Sequence, residues 1–129
     1  MSFDYPDIGE AVAIHDALIE EFGGTMGMRD EGALASAIMR PQLGYYESLI
    51  EEEAALLESL ANNHPFVDGN KRTAVAVTDT FLRLNGHYID CDNDEAYRYI
   101  MELFGRNSFR YAQLLPWLEE NVRPLSGAE

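Results

Sequence analysis

Cysteine is nearly missing from this chain: Cys91 stands alone among 129 residues. An internal disulfide is therefore excluded, and so is a CxxC metal site. Cys91 lies in HYIDCDND, beside three carboxylates that oppose thiolate formation, so a structural role is expected rather than a nucleophilic one. No apolar run approaches the roughly 20 residues that cross a bilayer, which excludes a membrane-spanning helix. The start MSFDYPD has neither the basic nor the apolar stretch of a secretory leader, so a cytoplasmic location is expected. Positive charge is scarce: 9 Lys and Arg stand against 23 Asp and Glu, for a net charge of −14. Such a surface repels phosphate backbones, so nucleic acid is not the expected direct partner; it fits a basic partner or, more commonly, a solvated acidic surface. Lys71 is the only lysine, and it stands beside Arg72. A concentrated positive spot in so acidic a chain suggests a local anion site.

What is present points to helices. Apolar residues make up 47% of the sequence, enough for a core, and the length fits one domain over residues 1–129. Ile8, Val12, Leu18, Ile19 and Phe22 fall near a 3.6-residue period that Gly23-Gly24 ends. Asp30 caps a short second helix carrying Leu34 and Ile38, which Pro41 blocks. A third helix is expected over residues 51–62, with Leu56, Leu57 and Leu60 on one side and an acidic first turn. A fourth runs from Arg72 or Thr73 to Leu84 and stops at Asn85-Gly86. Asp92 and Glu95 resemble a capping box for a fifth helix ending at Gly105. Ser108 caps a last helix that Pro116 kinks or restarts, and Leu114, Leu115, Trp117 and Leu118 read as core. Tyr88-Ile89-Asp90 is a short extended piece, and residues from Pro124 to Glu129 are expected to fray. The fold class is all-α, one compact bundle without repeats or linkers.

One segment does not read as packing. HPFVDGNKRTA, residues 64–74, falls between two helices, yet it holds an imidazole, a carboxylate, an amide and two cations around a glycine. Gly69 permits a positive φ, so successive N–H groups can line a nest for phosphate oxygens. The following helix turns its positive dipole end to the same place. Lys71 and Arg72 add charge, and arginine grips phosphate with two hydrogen bonds. Asp68 suits magnesium, which takes one or two carboxylates together with substrate phosphates. His64 stands four residues earlier as a general base for an attacking hydroxyl. Phe66 pins the loop into the core. A plain turn explains Asp68, Gly69 and Asn70, but not His64, Lys71 and Arg72 in the same place. The segment lacks the GxxxxGK[ST] spacing of a Walker loop. The set has the parts of phosphoryl or nucleotidyl transfer.

His64-Pro65-Phe66-Val67-Asp68-Gly69-Asn70-Lys71-Arg72 resembles the signature of the Fic/Doc family in its Doc form. Lys71 stands where Fic adenylyltransferases have a glycine, and Val75 where they have a final arginine; both point to the Doc branch. Ile14-His15-Asp16, Gly27-Met28-Arg29-Asp30-Glu31-Gly32, Arg40-Pro41 and Phe81-Leu82-Arg83-Leu84-Asn85-Gly86 extend the resemblance over roughly residues 8–121.

The resemblance implies a Fic-fold helical bundle with the motif loop between two central helices. It implies a bacterial toxin that transfers the γ-phosphoryl of ATP to a threonine of elongation factor Tu, halting translation, with a Phd-like antitoxin as partner. Carried over, His64, Asp68 and Lys71 are catalytic, and Asp68 binds Mg2+. Phe66, Gly69, Asn70, Lys71 and Arg72 bind the nucleotide. Asn62 stands where the type Doc protein has an arginine, and Arg106 or Arg110 is the candidate substitute. Two alternatives are AMP transfer on the same fold and a decayed module that only binds the antitoxin. Of the remaining residues, His15 is expected to be a packed histidine near the cleft, His87 a turn residue, Tyr45-Tyr46 core, and Thr73 and Thr78 helix packing.

Overall fold

A computed structural model describes residues 3–125. Six helices carry the chain: α1 (Ile8–Phe22), α2 (Glu31–Met39), α3 (Leu49–Asn63), α4 (Asn70–Leu84), α5 (Asn93–Gly105) and α6 (Tyr111–Asn121). A 3-10 turn, Arg40–Gln42, follows α2. Two short strands, β1 (His87–Ile89) and β2 (Val122–Pro124), pair antiparallel. The fold is the expected helical bundle with this small sheet added. Pro124 is therefore paired with His87 rather than frayed. The rest of the expected frayed tail, residues 126–129, lies outside the described residues.

Local chemistry sets most boundaries. Asp7 and Glu10 form a capping box at the start of α1. Asp30 caps α2 through the Ala33 N–H. Ser48 caps α3, so that helix begins two residues before the expected Glu51. Asp92 caps α5 through Asp94 N–H, without the expected reciprocal bond from Glu95. Ser108 does not cap α6: its hydroxyl turns to the Arg106 carbonyl, and Arg110 occupies the cap position. Pro116 lies inside α6 without ending it, and its exposed position lets water serve the carbonyl it leaves unpaired.

The centre of the bundle is α3. Its AALLESLA stretch is apolar around most of the helix, and residues from Glu53 to Leu57 are all buried. A helix apolar on every side belongs in a core, and α3 packs against α2, α4 and α6. Tyr5 stacks on Phe81 at 4.4 Å between ring centroids. Trp117 stacks on Tyr99, beside buried Leu114 and Leu118. Tyr45 is 80% exposed, against the expectation that it is core. Thr73 and Thr78 are buried. The Cys91 thiol is pushed above its ordinary pKa by burial, then by Glu95, Asp92 and Asp90.

Glu53 breaks the pattern, since it is fully buried and neither carboxyl oxygen has a hydrogen-bond partner. Burial, with Asp79 adding repulsion, holds its pKa well above the ordinary carboxyl range. The folded state thus keeps a proton that the unfolded chain releases at about pH 4.3. Folding costs more as pH climbs above that value, and nothing extra below it. Glu53→Gln is therefore expected to raise the melting temperature at pH 7–8 and to gain little near pH 4.5. Melting curves across that range check this, and a gain independent of pH contradicts it.

Candidate active site

The motif spans the turn from α3 to α4. His64 is the residue after α3 and takes a left-handed backbone, φ 50°. Gly69 takes another, φ 78°, directly before α4. A side chain at Gly69 would be strained by that φ and would press on the Ile19 side chain at 3.2 Å. Because a left-handed glycine starts the helix, α4 begins at Asn70 rather than at the expected Arg72 or Thr73. No side chain caps this end. The first-turn N–H groups of Asn70, Lys71 and Arg72 therefore remain for an anion.

The loop between these two points is fixed from three sides. The Phe66 N–H donates to Asn70 Oδ1 at 2.9 Å, and Asn70 Nδ2 donates back to the Phe66 carbonyl at 2.9 Å. The Phe66 ring is buried and stacks on His15 at 3.9 Å with an interplanar angle of 5°. The ring of Phe66 thus anchors the loop, as expected, and does not line the cleft described below. His15, itself buried, donates from Nε2 to the Asp68 carbonyl at 2.8 Å. The third side is the segment before α2. Val67 N–H donates to the Gly27 carbonyl, and Arg29 N–H and Asp30 N–H both donate to the Pro65 carbonyl.

What this frame presents is a cleft of about 400 Å³. It is lined by His64, Asp68, Gly69, Asn70, Lys71 and Arg72, with Phe22 and Tyr97 at its sides. His64 and Asp68 are exposed. Arg72 lies over the Phe22 ring at 4.1 Å and near Tyr97 at 5.5 Å; Lys71 lies over Phe104 at 4.7 Å. These are cation–π contacts. Neither cation is in an ion pair among the described residues, so the positive spot is not neutralised. Asp68 accepts the Thr25 N–H at 3.1 Å and the Gly69 N–H at 2.9 Å, one on each carboxyl oxygen. Each oxygen keeps a lone pair for a cation. Among the described residues no cluster of three or more His, Cys, Asp or Glu could hold a metal alone. One exposed carboxylate fits magnesium, which draws its other ligands from phosphates and water.

A second cleft, of about 550 Å³, is larger but lacks the motif. It contains Asn62 and Arg110. Asn62 Nδ2 donates to the Phe109 carbonyl at 3.1 Å, and Arg106 pairs with Glu102 at 3.4 Å. Neither Asn62 nor Arg106 nor Arg110 lines the motif cleft. Arg72 and Lys71 supply the cations there.

The profile of the Fic/DOC family matches residues 5–82. The chain belongs to the Fic/DOC family. The matched part holds α1 to α3, α4 up to Leu82 and the whole motif, and it stops short of the expected residue 121. Among curated relatives, "Toxin Doc" of Mycolicibacterium smegmatis is 49% identical over 78 residues, covering 57% of this chain and 60% of the relative. "Protein kinase doc" of Escherichia phage P1 is 43% identical over 81 residues, covering 60% of this chain and 64% of the relative. The chain thus spans less than two thirds of either relative.

Sequence reasoning missed Arg29, Phe22 and Tyr97 at this site. Arg29 stood in the quoted GMRDEG stretch without a role. Phe22 read as the last apolar residue of α1, yet it is 55% exposed beside the cleft. Among the described residues no helix is long and apolar enough to cross a membrane.

Proposed function

We propose that this chain is the toxin of a bacterial toxin–antitoxin pair and acts as an ATP-dependent phosphotransferase. Its acceptor is a hydroxyl, a threonine of elongation factor Tu, modified in the cytoplasm, and a Phd-like antitoxin neutralises it. The observation that carries the reading is the convergence of His64, Asp68, Lys71 and Arg72 on one cleft around the uncapped start of α4. The names of the two relatives, a toxin and a protein kinase, support it.

The geometry supports a role for each residue. His64 is exposed at the cleft and takes the proton of the attacking hydroxyl. Lys71, Arg72 and the N–H groups of the first turn hold the transferring phosphates and offset their charge. Asn70 acts through its backbone N–H, because its side chain is committed to Phe66. Asp68 would hold magnesium, which when bound neutralises phosphate charge. Val75 leaves no arginine one turn into α4 to grip a terminal phosphate, which favours γ-phosphoryl over AMP transfer.

ATP with magnesium is expected to bind the purified chain in a calorimeter, and Asp68→Asn to weaken binding only when magnesium is present. No heat of binding at millimolar nucleotide would overturn the enzymatic reading in favour of a module that only binds its antitoxin.

A further inference from the structure

Arg29 lies 35 positions from the motif histidine in sequence but grips its backbone. Its Nε donates to the His64 carbonyl at 2.8 Å, its Nη2 to the same oxygen at 2.5 Å, and Nη2 again to the Asn63 carbonyl at 3.1 Å. These carbonyls end α3, where a helix leaves acceptors unpaired and a cation is favoured. His64 is also one of two residues other than glycine with positive φ among the described residues. A histidine in that conformation persists only where its surroundings impose it. The backbone bonds of Arg29 and Asp30 to Pro65 continue the same clamp by one residue.

We infer that Arg29 is a positioning residue for the base: it holds the His64 backbone in its left-handed turn and so aims the imidazole into the cleft. The inference rests on the phosphotransfer reading, in which His64 is that base. Arg29 does not line the motif cleft, so it acts through His64 and not by holding nucleotide. A side chain displaced by about 1 Å can cost on the order of 100-fold in rate. Loss of the guanidinium should therefore lower kcat and leave the KM for ATP unchanged. Lysine keeps the charge but not the forked donors, so it should restore only part of the rate.

The test has a kinetic arm and a spectroscopic one. Arg29→Ala is expected to lower kcat about 100-fold, with Arg29→Lys between it and the parent. Adding Arg29→Ala to His64→Asn should cost nothing more, because a residue that acts through another has no effect once that one is gone. Parental kcat in Arg29→Ala, or a full further loss in the double variant, would overturn the inference. In the second arm, proton NMR follows the imidazole signals, which are assignable because the chain has 3 histidines. Arg29→Ala is expected to shift or broaden the His64 signal and leave that of His87 in place. An unmoved His64 signal overturns the clamp even if the protein transfers nothing, whereas absent transfer with a shifted signal counts against phosphotransfer alone. Should Arg29→Ala fail to fold, Arg29→Lys carries both arms: parental kcat with an unmoved signal contradicts the inference.

Discussion

His64→Asn is expected to lower phosphoryl transfer by about 10²- to 10⁴-fold, the usual contribution of a general base. The loss should appear in kcat, with the melting temperature nearly unchanged. Asparagine is the better replacement because His64 has φ 50°, and asparagine tolerates left-handed backbone where alanine is strained. The His64 side chain is exposed and has no hydrogen-bond partner among the described residues, so its removal unpacks nothing. Its carbonyl, the atom Arg29 holds, is kept in the variant. Transfer assays and thermal melts on the same preparation check both halves. Full activity in a folded His64→Asn protein contradicts the base assignment.

Phe66→Ala is expected to cost about 3–5 kcal/mol of stability, the range for emptying a buried phenylalanine site. For a chain of this size that lowers the melting temperature by about 10 °C or more. Phe66 is 2% exposed and lies flat on His15. Its ring ties the motif loop to α1, so the vacated volume opens beside His15. His15 would then lose its stacking partner while still bonded to the Asp68 carbonyl. Activity should fall with stability, unlike in His64→Asn. Calorimetric melting checks this, and a shift of less than about 3 °C would show that Phe66 does not anchor the loop.

These two residues also show what the sequence could and could not reveal. His64, Asp68, Lys71 and Arg72 were legible because transfer chemistry calls for those residue types within a few positions of one another, and no packing need explains them. Their shared cleft follows from the tight turn at Gly69. Phe66 was legible as a loop pin, but spacing does not tell that its ring turns onto His15. The helix from Asn70 began earlier than expected because Gly69 starts it by conformation, without a side-chain cap that a sequence could display. The strand Val122–Pro124 has no local signal at all; it exists because β1 lies opposite. Arg29 was hidden for a similar reason, since its partners are carbonyls on a distant helix end. Burial of α3 was visible in AALLESLA, but Glu53 inside it gave no hint of its orphaned carboxyl.

The central claim is that this cleft transfers the γ-phosphoryl group of ATP to a protein hydroxyl. The most direct measurement incubates the purified chain with magnesium, elongation factor Tu and ATP labelled at either the γ or the α phosphate. The account predicts label on elongation factor Tu from γ-labelled ATP alone, and none when His64 is replaced. Label from the α position would make the reaction AMP transfer and contradict the argument from Lys71 and Val75, while no label from either would contradict the proposed target and reaction.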